Sequence, residues 1–290
     1  MDIRSIMAIL DGGAESKTVL TTAIELGRRF DALTAMVQFT PPAAHNFYPV
    51  LDAPPANVIE GLISKMNERS EQRRHDFYAM IDQAVRADHL PTAKPGEVRR
   101  SSGFAITSES ITGHENREIA ERGRLYDLIV IGVPDDDCGG LDSTALEAAL
   151  LDTARPVLIT CRYPRPVIGG HITVAWDGSR EAAQSIRNAV PLMHSAGQVE
   201  IVHIITGPAD KINPADVVKY LKLHDIEATS RTVESDKSGI ADRLLDAAHE
   251  NGHALLVMGA YGTSAVAEYM FGGVTRNVMA KADVPLLVSH

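Results

Sequence analysis

The 290-residue chain is poor in cysteine, in aromatic residues and in long apolar runs. Its two cysteines, Cys138 and Cys161, are too few for a disulfide framework, and their spacing matches no metal clip. Aromatic residues make up 5% of the chain, with a single tryptophan, so stacking platforms for single-stranded nucleic acid are scarce. No apolar run approaches the roughly 20 residues that a membrane-spanning helix needs. The opening Met1-Asp2-Ile3-Arg4 and its short apolar run lack the hydrophobic region of a secretory signal, which makes the cytoplasm the expected compartment. There is no basic tract to mark a nucleic-acid groove or an anionic membrane surface. The net charge is -10, and it is unevenly spread: 16 basic and 24 acidic residues up to Cys161, 12 and 14 after it. No Gly-x-Ser-x-Gly elbow or other nucleophile constellation emerges, so no catalytic residue is assigned.

What the chain does have is ordinary globular composition, 44% hydrophobic and 23% charged, and a length that suits two domains. An internal repeat organises it. Residues 6–13, Ile-Met-Ala-Ile-Leu-Asp-Gly-Gly, resemble 172–179, Ile-Thr-Val-Ala-Trp-Asp-Gly-Ser, which pairs Asp11 with Asp177 at an offset of 166. Asp127-Leu-Ile-Val-Ile-Gly132 pairs with Ala254-Leu-Leu-Val-Met-Gly259 at 127, and Arg155-Pro-Val-Leu-Ile159 with Val284-Pro-Leu-Leu-Val288 at 129. The first copy therefore carries about 39 extra residues, most of them expected in an insertion at about 41–87. Residues 161–170, with two prolines and two glycines, suit a linker, giving domains 1–161 and 170–290.

Short apolar runs predict strands near 5–10, 33–39, 104–108, 127–132 and 156–160, then 171–176, 199–205, 226–233, 254–258 and 284–288. In the second copy, helical patterns lie between them at 180–194, after Asn213-Pro214, at 240–249 and at 272–282. Strand–helix alternation argues an α/β fold: two five-stranded parallel sheets in tandem, with right-handed crossovers and helices on both faces.

In such sheets the ligand crevice lies beyond the carboxyl ends of the strands, at the switch in strand order. The second copy puts Gly259-Ala-Tyr-Gly262 there, followed nine residues on by Gly272-Gly273-Val274-Thr275 at a helix start. Glycines allow close backbone approach, and the free N–H groups of a helix N-terminus favour phosphate. Gly259, Gly262 and Gly272, together with Asp177-Gly178-Ser179 and the ending Val284-Pro-Leu-Leu-Val288, resemble the universal stress protein family, strongly in the second copy and weakly in the first.

The resemblance implies a Rossmann-like fold of the adenine-nucleotide alpha hydrolase type, a stress-response role and an adenine-nucleotide pocket (ATP, ADP or AMP, with or without Mg2+). It implies that Asp177 and Ile204 border adenine and ribose, and that Met258 lines the base. Gly259, Gly262 and Gly272 would lie against the phosphates, with Gly273, Val274 and Thr275 closing the loop. Gly273 departs from the pattern, which has Ser or Thr there, and Thr275 is the nearby hydroxyl. The resemblance also implies dimer-like pairing through the last strands. That pairing joins either two copies as a homodimer or 156–161 to 284–289 within one chain. Slow ATP hydrolysis or phosphotransfer at the same loop is the enzymatic alternative, and an interaction scaffold without ligand is the third reading.

Two motifs are set aside. His249-Glu250-Asn251-Gly252-His253 matches His-Glu-x-x-His, yet Gly252 reads as a helix stop, which parts the two imidazoles. Asp11-Gly-Gly-Ala-Glu-Ser16 looks like an altered pyrophosphatase loop, but its leading aspartate repels pyrophosphate, and a simple strand-to-helix turn is expected. After Gly132, the three aspartates 135–137 would repel phosphate unless a metal bridged them, and Ser143-Thr144 align with Gly272-Gly273, so the first copy is expected to be a degenerate partner with a solvated acidic loop.

Overall fold

The computed structural model describes residues 2–13, 15–40, 56–96, 103–133, 143–161, 170–207, 212–236, 238–250, 252, 255–260 and 273–290. The first half runs β1 (Ser5–Ile9), α1 (Ser16–Phe30), β2 (Leu33–Thr40), α2 (Ala56–Asp88), β3 (Ala105–Thr112), α3 (Glu115–Gly123), β4 (Leu128–Ile131), α4 (Ser143–Asp152) and β5 (Val157–Ile159). The second repeats this order: β6 (His171–Ala175), α5 (Arg180–Met193), β7 (Gln198–Ile205), α6 (Ala215–Lys222), β8 (Ala228–Glu234), α7 (Ile240–Glu250), β9 (Leu255–Gly259), α8 (Gly273–Lys281) and β10 (Leu286–Ser289).

Central strands such as Ile6-Met7-Ala8-Ile9 and Leu128-Ile-Val-Ile131 are apolar throughout because both of their faces are covered. Ile6, Ala8 and Leu10 join the layer that holds residues of α1, α2, α5 and α6. Met7 and Ile9 join the opposite layer, with residues of α3, α4, α7 and α8. Each layer runs through both halves, so the expected pair of sheets is one ten-stranded sheet, ordered β3-β2-β1-β4-β5-β10-β9-β6-β7-β8. Within each half the pairing is parallel. At the centre β5 and β10 pair antiparallel, Leu286 against Ile159, Leu287 against Leu158 and Val288 against Val157. The terminal strands of the two halves thus meet within one polypeptide.

Most of the segment read as an insertion is the β2–β3 crossover helix itself. Phe77 and Ile81 of α2 are buried in the same layer as Val217 and Leu221 of the much shorter α6. The two helices end alike, with Leu90 N donating to Val85 O and Ile226 N to Leu221 O. Ala215, the first residue of α6, therefore corresponds to Ala79, and the α2 turns before it have no helical counterpart. Outer strand β8 is polar (Ala-Thr-Ser-Arg-Thr-Val-Glu) because it is the sheet edge, which explains its faint alternation in the sequence.

Candidate functional site

The order reverses between β6 and β9, and the register sets three side chains at the carboxyl edge there. Ala175 pairs with Val202 and Val174 with Val257, so Asp177 and Ile204 emerge at one level, and Met258 lies two residues lower, level with Ala175. Ile204 and Met258 are buried and form an apolar floor shared with the α7–α8 layer. Asp177 is exposed above it; its Oδ1 accepts Ser179 N at 2.9 Å across a turn in which Gly178 has φ 75°. Ser179 caps α5, its hydroxyl accepting Ala182 N at 3.1 Å. The Asp-Gly-Ser triplet thus starts a helix and holds a carboxylate over the switch point.

Gly259 has a packing cause. A methyl group there would stand 2.6 Å from both Ala182 N and the Glu181 carbonyl carbon, so only glycine lets the first turn of α5 sit on the end of β9. At the start of α8, Gly273 is exposed, and no atom of the described residues lies within 4 Å of where a side chain would start. Val274 packs against the layer that includes Ile204 and Met258. Thr275, the nearby hydroxyl, is buried along the inner side of α8 with Val278. Gly262 and Gly272 lie outside the described residues, as do Cys138, the aspartates 135–137 and His253.

Trp176 is half-buried against the other layer, and its carbonyl oxygen is 2.7 Å from Nδ1 of the buried His203. A carbonyl only accepts, so Nδ1 carries the proton. His203 is accordingly a hydrogen-bonded core residue on the face of β7 opposite Ile204. Helix α7 ends at Glu250, and Gly252 has φ 72°, which stops the helix before position 253 and removes the geometry of a zinc His-Glu-x-x-His. His249 instead meets Asp283 and ties α7 to the segment after α8.

The sequence reading missed Glu181. It is 2% exposed in the first turn of α5, with Arg180 Nε donating to Oε1 and no partner for Oε2 among the described residues. The Arg180 hydrogen bond holds its carboxyl below the usual glutamate range, against the opposing effect of burial. A signal was present: the offset of 166 that pairs Asp11 with Asp177 pairs Glu15 with Glu181. Because the folded-state value is lowered, ionised Glu181 stabilises the fold at neutral pH, and that contribution is lost as pH falls through the lowered value. Glu181→Gln is therefore expected to lose less stability than wild type between neutral and acidic pH in urea titrations; equal losses would contradict this.

The duplicated parallel sheet, with its switch-point aspartate and helix-capping serine, defines a double Rossmann-like α/β protein. Residues 170–290 match the family described as "Universal stress protein family". A universal stress protein from Archaeoglobus fulgidus DSM 4304 superposes at TM-score 0.66 with 16% identity, over 98% of this chain and 97% of that one. A functionally unknown protein from Pseudomonas aeruginosa PAO1 superposes at 0.60 with 13% identity, over 99% and 92%. Both matches span the two halves together, and the whole chain shares that fold. No curated protein matches the chain.

Proposed function

We propose that residues 170–290 bind an adenine nucleotide (ATP, ADP or AMP, with or without Mg2+) and that the chain is a regulatory module of the cytoplasmic stress response. Residues 1–161 and 170–290 act as its two domains. The observation that carries this reading is the exposed Asp177, fixed by Ser179 over the Ile204–Met258 floor at the β6–β9 switch. An apolar slot beside a carboxylate suits a base and the ribose hydroxyls, which donate to it. The same family pattern assigns the phosphates to Gly259, Gly262 and Gly272, with Gly273, Val274 and Thr275 closing over them.

The missing hydroxyl at Gly273 weakens the phosphate end. One hydrogen bond to a charged group contributes about 1.5–3 kcal/mol, at least tenfold in affinity. Because a side chain at 273 meets none of the described residues, Gly273→Ser is expected to raise ATP affinity about tenfold while leaving AMP nearly unchanged. Calorimetric titration with ATP, ADP and AMP at up to millimolar ligand tests both points. Heat of binding that disappears in Asp177→Ala supports the reading, and no binding of any of the three ends it. The slow-hydrolysis alternative is separated by phosphate release that is lost in the same variant.

A further inference from the structure

The two halves differ at the carboxyl edge of their first two strands. In the first half, the backbone of α2 lies on the Asp11-Gly12 turn. A methyl group at Gly12 would stand 3.1 Å from Arg73 O and 3.6 Å from Arg73 Cα, and Gly12 has φ 83°. Gln38, near the end of β2 and 1% exposed, donates from Nε2 to Arg73 O at 3.1 Å and to Asp11 O at 3.4 Å. Its Oε1 accepts Ser110 Oγ at 3.2 Å, and Ser110 N donates to Tyr78 Oη at 3.1 Å. One buried amide therefore ties β1, β2, β3 and α2 together over the place where the second half holds its Asp177 crevice.

Arg73 and Tyr78 both belong to the turns of α2 that α6 lacks. In the second half the corresponding glycine, Gly178, faces among the described residues the Ile212 side chain, 3.2 Å from where its own Cβ would be. By register Gln38 corresponds to His203, which is turned onto Trp176 O instead.

The two aspartates differ as well. Asp11 Oδ1 accepts Gly13 N at 2.8 Å and Ser16 Oγ at 2.6 Å, and Ser16 Oγ accepts Asp11 N and Gly12 N. At the offset of 166, Ser16 is replaced by Ala182, and Asp177 Oδ1 accepts Ser179 N from an exposed position. The first-half carboxylate is thus committed to its own turn.

We propose that α2 is an intramolecular occupant of the first-half crevice, strapped there by Gln38, so that the chain carries one nucleotide site and not two. The proposal rests on nucleotide binding by the second half. A ligand entering the first half would have to displace a helix backbone and break the Gln38 bonds, whereas a side chain such as Ile212 only changes rotamer.

Two measurements on the full chain test it. Calorimetry with ATP is expected to give a stoichiometry of one and to lose all binding in Asp177→Ala. A stoichiometry of two, or a full-strength site remaining in Asp177→Ala, overturns the proposal while leaving nucleotide binding intact. Hydrogen exchange of wild type and Gln38→Met, without ligand, reads the strap directly. Amides of residues 70–78 are expected to exchange roughly five- to tenfold faster in the variant, with 81–88 unchanged. Unchanged exchange at 70–78 overturns the strap, even if no nucleotide binds and the proposed function falls.

Discussion

Leu287→Asp is expected to lower the unfolding free energy by at least about 4 kcal/mol, seen as a large drop in the urea midpoint. Leu287 is fully buried on β10, opposite the equally buried Leu158 of β5 and beside Val257 of β9. These three residues carry the α1/α2/α5/α6 layer across from one half to the other. A carboxylate there loses the apolar burial of the leucine, about 1.5–3 kcal/mol, and adds a charge with no cation opposite it. Aspartate also has poor strand propensity, in a pairing only three residues long on the β5 side. Leu287→Ala keeps the backbone pairing and is expected to cost about 2–5 kcal/mol through the cavity alone. Midpoints near that of wild type for both would mean the junction is not the continuous core described here.

Gly259→Ala is expected to destabilise the protein by about 3 kcal/mol. The added methyl group meets backbone atoms of Glu181 and Ala182 at 2.6 Å, and neither can rotate away. Relief requires α5 to lift from β9, which pulls at the Ser179 cap and at Ala182, Ile186 and Ala189 in the core. Gly273→Ala is the control. It adds the same methyl group where none of the described residues lies within 4 Å, so its unfolding curve is expected to stay within about 0.5 kcal/mol of wild type. Equal effects at the two positions would contradict the close approach of α5.

The comparison of Gly259 with Gly273 also shows what the sequence can and cannot say. Gly259 fits a pattern associated with phosphate contact and Gly273 departs from it, but the reason glycine is needed at 259 is a helix packed on a strand end. Spacing records that a side chain is excluded and not what excludes it. Strand positions were legible because a strand covered on both faces must be apolar throughout, as in β4 and β9. The outermost strand β8 was faint because only part of it is covered. The Asp177-Gly178-Ser179 turn was legible because a cap and a left-handed glycine have local signatures.

Long-range choices left no such mark. Helix α2 was legible in extent, reading over 57–87 against the observed Ala56–Asp88, but not as the β2–β3 crossover. Its seat on Gly12 depends on Gln38, a residue type that ordinarily reads as surface. Glu181 escaped notice for the same reason: a charged residue in a first helical turn usually faces water. The 166-residue offset was the only trace of its fixed place, since it lines up Glu15 with Glu181 as it does Asp11 with Asp177.

The claim that residues 170–290 hold an adenine nucleotide at Asp177 is tested most directly by native mass spectrometry of the full chain with ATP or AMP. The comparison is wild type against Asp177→Ala and Asp11→Ala. The account predicts a single nucleotide adduct on wild type and on Asp11→Ala, and none on Asp177→Ala. An adduct that survives Asp177→Ala, or no adduct on wild type at millimolar nucleotide, would contradict it.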